Sequence, residues 1–393
     1  FFKQKTAYEM LRSLVGSEMC IRDSHYDVQP AEAETLSNWV SEPFKPTVRG
    51  ENLYGRGVTD MKGQIMACLN AIEAMLHAGD MPVNIKFLLE GEEEIGSVHL
   101  PSFIESHKEL LKCDYVLNPD TGMINSSLPT ITYALRGLAI FELRVYGPKN
   151  DLHSGTFGGV IHNPAQAICE LIAAMHDQQG RVTLPGFYDK VIPLSQEERE
   201  ELARLPKDDA FYLAISGVPA LWGEVGYTAN ERASARPTLE INGLYSGFIA
   251  KGSKTVIPAY AMAKISCRLV PDQEPDEVHQ QMRNFLELNA PASIRWELDY
   301  LGGSPAVLSN RQSPAIQALI QAFETVWGTR PVFKREGGSV PVVLNFKQTL
   351  GVDSVNTGFA QTEDNAHGPN EKLHLPTWYK GIEVFIHFFY NLT

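Results

Sequence analysis

The chain has 393 residues, enough for two domains with substantial cores. Its formal net charge is -13 with no Lys/Arg block, which argues against a nucleic-acid partner; no apolar run approaches the roughly 18 residues of a membrane span. Cys20, Cys68, Cys113, Cys169 and Cys267 are odd in number, scattered and without C-x-x-C spacing, which suits a reducing cytosol better than a disulfide framework or a zinc finger.

Residues 1–24 read differently from the rest. Lys3 and Lys5 are basic, but no apolar stretch follows, so this is not a secretory signal. Strongly patterned sequence begins abruptly at His25. The expectation is a foreign segment that stands in place of native N-terminal strands and is set aside from the fold.

His25-Tyr26-Asp27-Val28-Gln29-Pro30 belongs at a strand end. A His and an Asp two apart on extended backbone point the same way, so one can ligate a metal while the other orients it; read alone, H-x-D is a weak signal. The glycine-rich turn Gly55-Arg56-Gly57 leads to Asp60, just before a helix expected over 63–77 from apolar residues three and four apart. Asp60 could simply cap that helix. The turn resembles a phosphate loop only superficially, since the Lys-Ser/Thr pair is missing.

A buried strand over 82–89 runs into Glu90-Gly91-Glu92-Glu93-Glu94-Ile95-Gly96-Ser97. Adjacent carboxylates at a strand end repel one another and call for a cation, and strand ends of open α/β sheets are where ligands bind. A helix over 100–111 and a strand over 114–117 follow, the latter ending in Asn118-Pro119-Asp120-Thr121-Gly122. This alternation predicts a mostly parallel sheet covered by helices.

The pattern changes near Gly137. Residues 139–145 alternate like an antiparallel strand, a polar glycine-rich loop spans 149–159, and a helix is expected over 164–176. Residues 180–235 read as irregular apart from a helical piece at 196–204. Strands are expected at 239–241, 261–269 and 294–300, with a helix over 276–288. We read an α/β fold in which residues 1–136 and 309–393 together make a catalytic domain, interrupted by an inserted α+β domain over 137–308. The stretch 309–393 holds a helix over 313–327, the loop Lys334–Pro341, the polar loop Asp364–Glu371 and an amphipathic terminal helix over 378–390.

The acids and imidazoles at strand ends and loops are His25, Asp60, Glu94, Asp120 and His367. Two imidazoles and three carboxylates suit zinc or manganese better than calcium or copper. Five ligands with one shared carboxylate suit two ions, and such a pair can hold a bridging hydroxide and polarise a carbonyl. Glu93 beside them would take the water's proton and pass it to a leaving amine.

In order along the chain, H-Y-D-V-Q-P, G-R-G-V-T-D-M-K-G, E-G-E-E-E-I-G-S, N-P-D-T-G and D-N-A-H resemble the di-zinc metallopeptidase family of carnosinases, carboxypeptidase G and succinyl-diaminopimelate desuccinylase, from His25 to the C-terminus. Asp151-Leu152-His153-Ser154-Gly155, Lys254-Thr255-Val256-Ile257-Pro258, Arg268-Leu269-Val270-Pro271 and Gly337-Gly338-Ser339 are similar to the dipeptidase (carnosinase) branch. The resemblance implies that His25, Asp120 and bridging Asp60 hold one ion, that Glu94, His367 and Asp60 hold the other, that Glu93 is the general base and that Asp27 orients His25. It implies zinc, with manganese or cobalt as alternatives, and a cis peptide bond after Asp60. It further implies that the inserted domain is a lid and dimerisation domain. There Arg268 grips the substrate's C-terminal carboxylate, His153 stabilises the oxyanion in the partner's site, and Thr255 and Ser339 help bind substrate. The expected function is that of a cytosolic homodimeric exopeptidase acting on dipeptides or short peptides, with an N-acyl amino acid deacylase as the alternative. A non-catalytic relic is a third reading, against which intact Glu93 and Asp27 stand.

Overall fold

In the computed structural model, residues 18–338 and 341–393 are described. The chain divides into two compact units. Among the described residues, the first comprises 18–133, 308–334 and 341–393, and the second comprises 134–307 with 335–338.

The first unit is built on a seven-stranded sheet. Four neighbouring strands run parallel, in the order Asn84–Glu90, Glu18–His25, Tyr115–Asn118, Ser354–Asn356. Thr130–Leu135 continues the sheet antiparallel to the last of these. Residues 18–25, most of which the sequence pattern set aside, thus form an interior strand of the sheet, paired on both sides.

Helix Leu375–Asn391 packs against both Gly63–Ala78 and Pro314–Trp327. They enclose a ring cluster in which Phe359 lies 5.1 Å from Phe385 and 6.3 Å from a parallel Trp327. A second core joins Leu100, Ile104 and Leu111 to Val116 and Phe346. The helix expected over 100–111 is two, Leu100–Ser106 and Lys108–Leu111, because His107 leaves helical geometry at φ -120°, ψ 26°.

A parallel sheet sends all its carboxyl ends to one edge. His25 ends one strand, Glu90 ends the next and leads to the Glu93–Ile95 turn, and Asn118 ends a third two residues before Asp120. Connections at such an edge need not pack tightly, so acids can collect there without burying unpaired charge in a core.

The second unit is a four-stranded antiparallel sheet, in the order Thr238–Ser246, Tyr260–Leu269, Gly137–Tyr146, Arg295–Ser304. Along Tyr260–Leu269 burial alternates with period two, the buried set facing helices Pro164–Ala174 and Pro275–Asn289. Leu244, Tyr245 and Tyr260 remain exposed. Two helices absent from the sequence reading, Asp209–Ser216 and Ala229–Ser234, lie within residues expected to be irregular. No helix among the described residues is long and apolar enough to cross a membrane.

Candidate metal centre

His25 is fully buried. Its Nδ1 donates to the Asp27 carbonyl at 3.1 Å, which directs Nε2 away from the backbone. That Nε2 lies 3.0 Å from Asp60 Oδ1 and 3.9 Å from Asp120 Oδ2. The other oxygen of Asp60 lies 2.8 Å from His367 Nε2, which is also 3.4 Å from Glu94 Oε2. Asp60 therefore presents one oxygen to each imidazole. The donor atoms of His25, Asp60 and Asp120 fall within 4.8 Å of one another, as do those of Asp60, Glu94 and His367, and those of His25, Glu93 and Glu94.

Each of these side chains is placed by its own local structure. Asp60 does not cap the following helix, since Lys62 holds the N-cap position. Its backbone is extended at φ -120°, ψ 93°, and the peptide bond to Met61 is cis, as the resemblance implied. Asp120 follows Asn118, whose side chain accepts from the Asp120 amide at 2.8 Å. His367 sits on left-handed backbone, φ 63°, in the polar loop after Asp364, and its side chain is 56% exposed.

Two details refine the expectations. The Asp27 backbone carbonyl, rather than its carboxylate, is the nearer acceptor for His25; the carboxylate oxygen is at 3.5 Å, and the second oxygen accepts from the Glu94 amide at 3.1 Å. Asp27 thus ties the segments that carry His25 and Glu94 together. Within the acidic run, Glu92 accepts from exposed His99 Nδ1 at 2.8 Å, while Glu93 and Glu94 take part in the cluster.

The electrostatics follow from this convergence. Burial works against protonating His25, but the carboxylates of Asp60, Asp120 and Glu93 outweigh it and push its pKa up from 6.5 to about 10. Burial likewise opposes ionisation of Asp60, yet its bonds to His25 and His367 hold it below the ordinary carboxylate range. Three carboxylates and two imidazoles on one small volume form a donor set that fits borderline-hard divalent ions, with Asp60 able to serve two at once.

Sequence reasoning missed three supporting side chains. Gln29 grips Glu94 twice, its backbone N–H donating to Oε1 at 3.1 Å and its side-chain Nε2 to Oε2 at 2.7 Å. Arg56 and Glu371 form a fully buried pair at 2.9 Å beside the Asp60 loop. Gln29 stands within the H-Y-D-V-Q-P motif and Glu371 within the polar loop after Asp364, so position next to ligand residues was the available signal.

Of the residues expected to bind substrate, His153, Thr255 and Arg268 lie in the second unit. His153 pairs with Val256 across a two-residue ladder, and the Thr255 hydroxyl is 3.4 Å from His153 Nε2. Arg268 occupies the strand position opposite Leu138 and Thr238 and lines a cavity of about 450 Å³ that Arg136 also lines. Ser339 lies outside the described residues.

A family model described as peptidase family M20/M25/M40 matches residues 22–391. The chain is 33% identical to a human Beta-Ala-His dipeptidase over 374 residues, covering 94% of this chain and 73% of that protein. It is 34% identical to the Cys-Gly metallodipeptidase DUG1 of Candida albicans over 378 residues, covering 93% and 77%. Among solved structures, an M20 family metallo-carboxypeptidase from Sulfolobus solfataricus superposes with a TM-score of 0.83 at 32% identity, covering 96% of this chain and 85% of the other.

Proposed function

This chain belongs to peptidase family M20/M25/M40 and is a metal-dependent peptidase, and we propose that it is a di-zinc exopeptidase that hydrolyses dipeptides or similarly short peptides. The observation that carries the proposal is Asp60, with one oxygen on each of two imidazoles and each half of the site completed by a further carboxylate. His25, Asp60 and Asp120 would hold one ion, and Asp60, Glu94 and His367 the other. When bound, the ions supply Lewis-acid polarisation of the scissile carbonyl and lower the pKa of water.

The chain's own residues do the rest. His25 ligates through Nε2 because Nδ1–H is committed to the Asp27 carbonyl. Gln29 keeps both Glu94 oxygens oriented. Glu93, clustered with His25 and Glu94, accepts the proton of the attacking water and delivers it to the amide nitrogen as the C–N bond breaks. Arg268 would bind the substrate's C-terminal carboxylate with a bidentate guanidinium fork, with Ser339 and Thr255 assisting. His153 would donate to the oxyanion.

The test of substrate class is a panel of dipeptides against N-acyl amino acids, with zinc, manganese or cobalt added to metal-stripped enzyme. Turnover confined to free dipeptides supports the proposal; turnover confined to acylated amino acids makes the chain a deacylase. Exposed Leu244, Tyr245 and Tyr260 in the second unit support a homodimer in which His153 serves the partner's site. Mixing inactive His153→Ala with inactive Glu93→Gln under subunit exchange should then restore some of the activity. Verified exchange without recovery would place His153 in its own subunit's site or in none. Free Cys68, Cys113, Cys169 and Cys267 fit a cytoplasmic setting.

A further inference from the structure

Glu371 is fully buried, four residues beyond His367. Its Oε2 accepts from Arg56 Nη1 at 2.9 Å and from the Gly57 amide at 2.8 Å. Its Oε1 accepts from the amides of Thr59 at 3.0 Å and Asp60 at 3.1 Å. Four donors fill the carboxylate's hydrogen-bonding capacity. Three of them are backbone amides of one glycine-rich loop, which wraps the carboxylate as such loops wrap anions. Arg56 then reaches on, its Nη2 donating to the carbonyl of His367 at 3.0 Å. Gly55 donates to the Glu371 carbonyl at 3.0 Å, and Thr59 Oγ1 donates to buried Asp364 at 3.2 Å.

These bonds link the segments that carry Asp60 and His367, whose flanks pair in a small sheet, Leu53 with Leu373 and Tyr54 with Lys372, while Asp60 and His367 themselves lie outside that ladder. Asp60 sits on non-helical backbone within a kink, and His367 on left-handed backbone in a loop. Stability alone does not call for such a hub, because a buried ion pair is often no better than well-packed apolar residues. What the hub does hold is the amide of Asp60 itself and, through Arg56, the backbone of His367. We propose that Glu371 is a positioning residue for the metal centre: its carboxylate, acting through the Asp60 amide and Arg56, fixes the bridging Asp60 and His367 relative to each other so that one ion fits between them.

The proposal rests on the di-metal reading above, and its test separates the two. Metal-stripped parent, Glu371→Gln and Arg56→Lys proteins are titrated with zinc against a chromogenic chelator, and each metal-free protein is melted. The parent should bind two ions. Arg56→Lys keeps the charge but loses the fork that spans Glu371 and His367. Both variants should bind the His367-side ion about 10–100-fold more weakly, the usual cost of losing a group that orients a metal ligand. Activity lost at limiting zinc should return as zinc is raised, and the melt of the metal-free variant separates weakened binding by a folded site from zinc drawing an unfolded fraction back to the folded state. Arg56→Lys guards against Glu371→Gln failing to fold. If the parent binds two ions and a variant that still melts cooperatively binds both with parental affinity, the proposal is overturned while the di-metal reading stands. If the parent binds fewer than two, both fall.

Discussion

Gly57 allows a close approach between the segments that carry His25 and Asp60, and filling it should be costly. It lies on left-handed backbone, φ 79°, ψ 6°, and a Cβ there would sit 2.4 Å from Val28 Cγ1. Gly57→Ala therefore meets two penalties. Left-handed backbone costs an L-residue about 1–2 kcal/mol, and forcing an extra methyl into packed atoms typically costs about 1–3 kcal/mol. Together these come to about 2–5 kcal/mol, a fall in Tm of roughly 4–20 °C for a unit of this size. Activity should fall too, because the Gly57 amide donates to Glu371 and Asp60 is three residues on. The components separate in a double-mutant cycle with Val28→Ala, which opens the space but leaves the φ penalty. The double variant should be more stable than the sum of the singles by about 0.5–3 kcal/mol, the range seen for residues in contact. A Gly57→Ala protein that melts with the parent, or a Val28→Ala change that gives no relief, would refute this reasoning.

Two further predictions concern the chemistry. Glu93→Gln should keep its metal, checked by elemental analysis, and lose turnover on the order of 10²–10⁴-fold; near-parental kcat would remove Glu93 from the role of base. In metal-free protein the His25 pKa is raised to about 10, so its stabilising contribution is complete below pH 6.5 and is lost as pH rises through about 10. The Tm of metal-free protein should accordingly fall between neutral pH and pH 10, and loading zinc at neutral pH should release a proton into weakly buffered indicator solution. A pH-independent melt together with no proton release would contradict the electrostatics described for His25.

Much of this site could be read from the residues because parallel-sheet physics places strand ends on one edge. An acid or imidazole after an apolar run, as at His25, Glu94 and Asp120, is then a candidate ligand. Convergence could not be read. Asp60 might have capped the helix at Gly63, and only the fold shows Lys62 in that place. Glu92 is chemically the same as its neighbours, yet it pairs outward with His99, because a tight turn sends adjacent side chains in different directions. The helix Ala229–Ser234 was missed although Thr228 and Glu231 form a capping box, a signal hidden among the Pro, Gly and charged residues around it. Glu371 was invisible for another reason: four donors gather on it from a loop more than three hundred positions earlier, as the Arg56 contact shows.

The sharing of Asp60 by two ions is tested most directly by X-ray absorption on zinc-loaded protein. Two zinc ions per chain are expected, with a metal–metal distance of about 3.5–4 Å and the pair lost in Asp60→Asn. A single zinc per chain, or two with no metal–metal scattering at that distance, would contradict a shared Asp60.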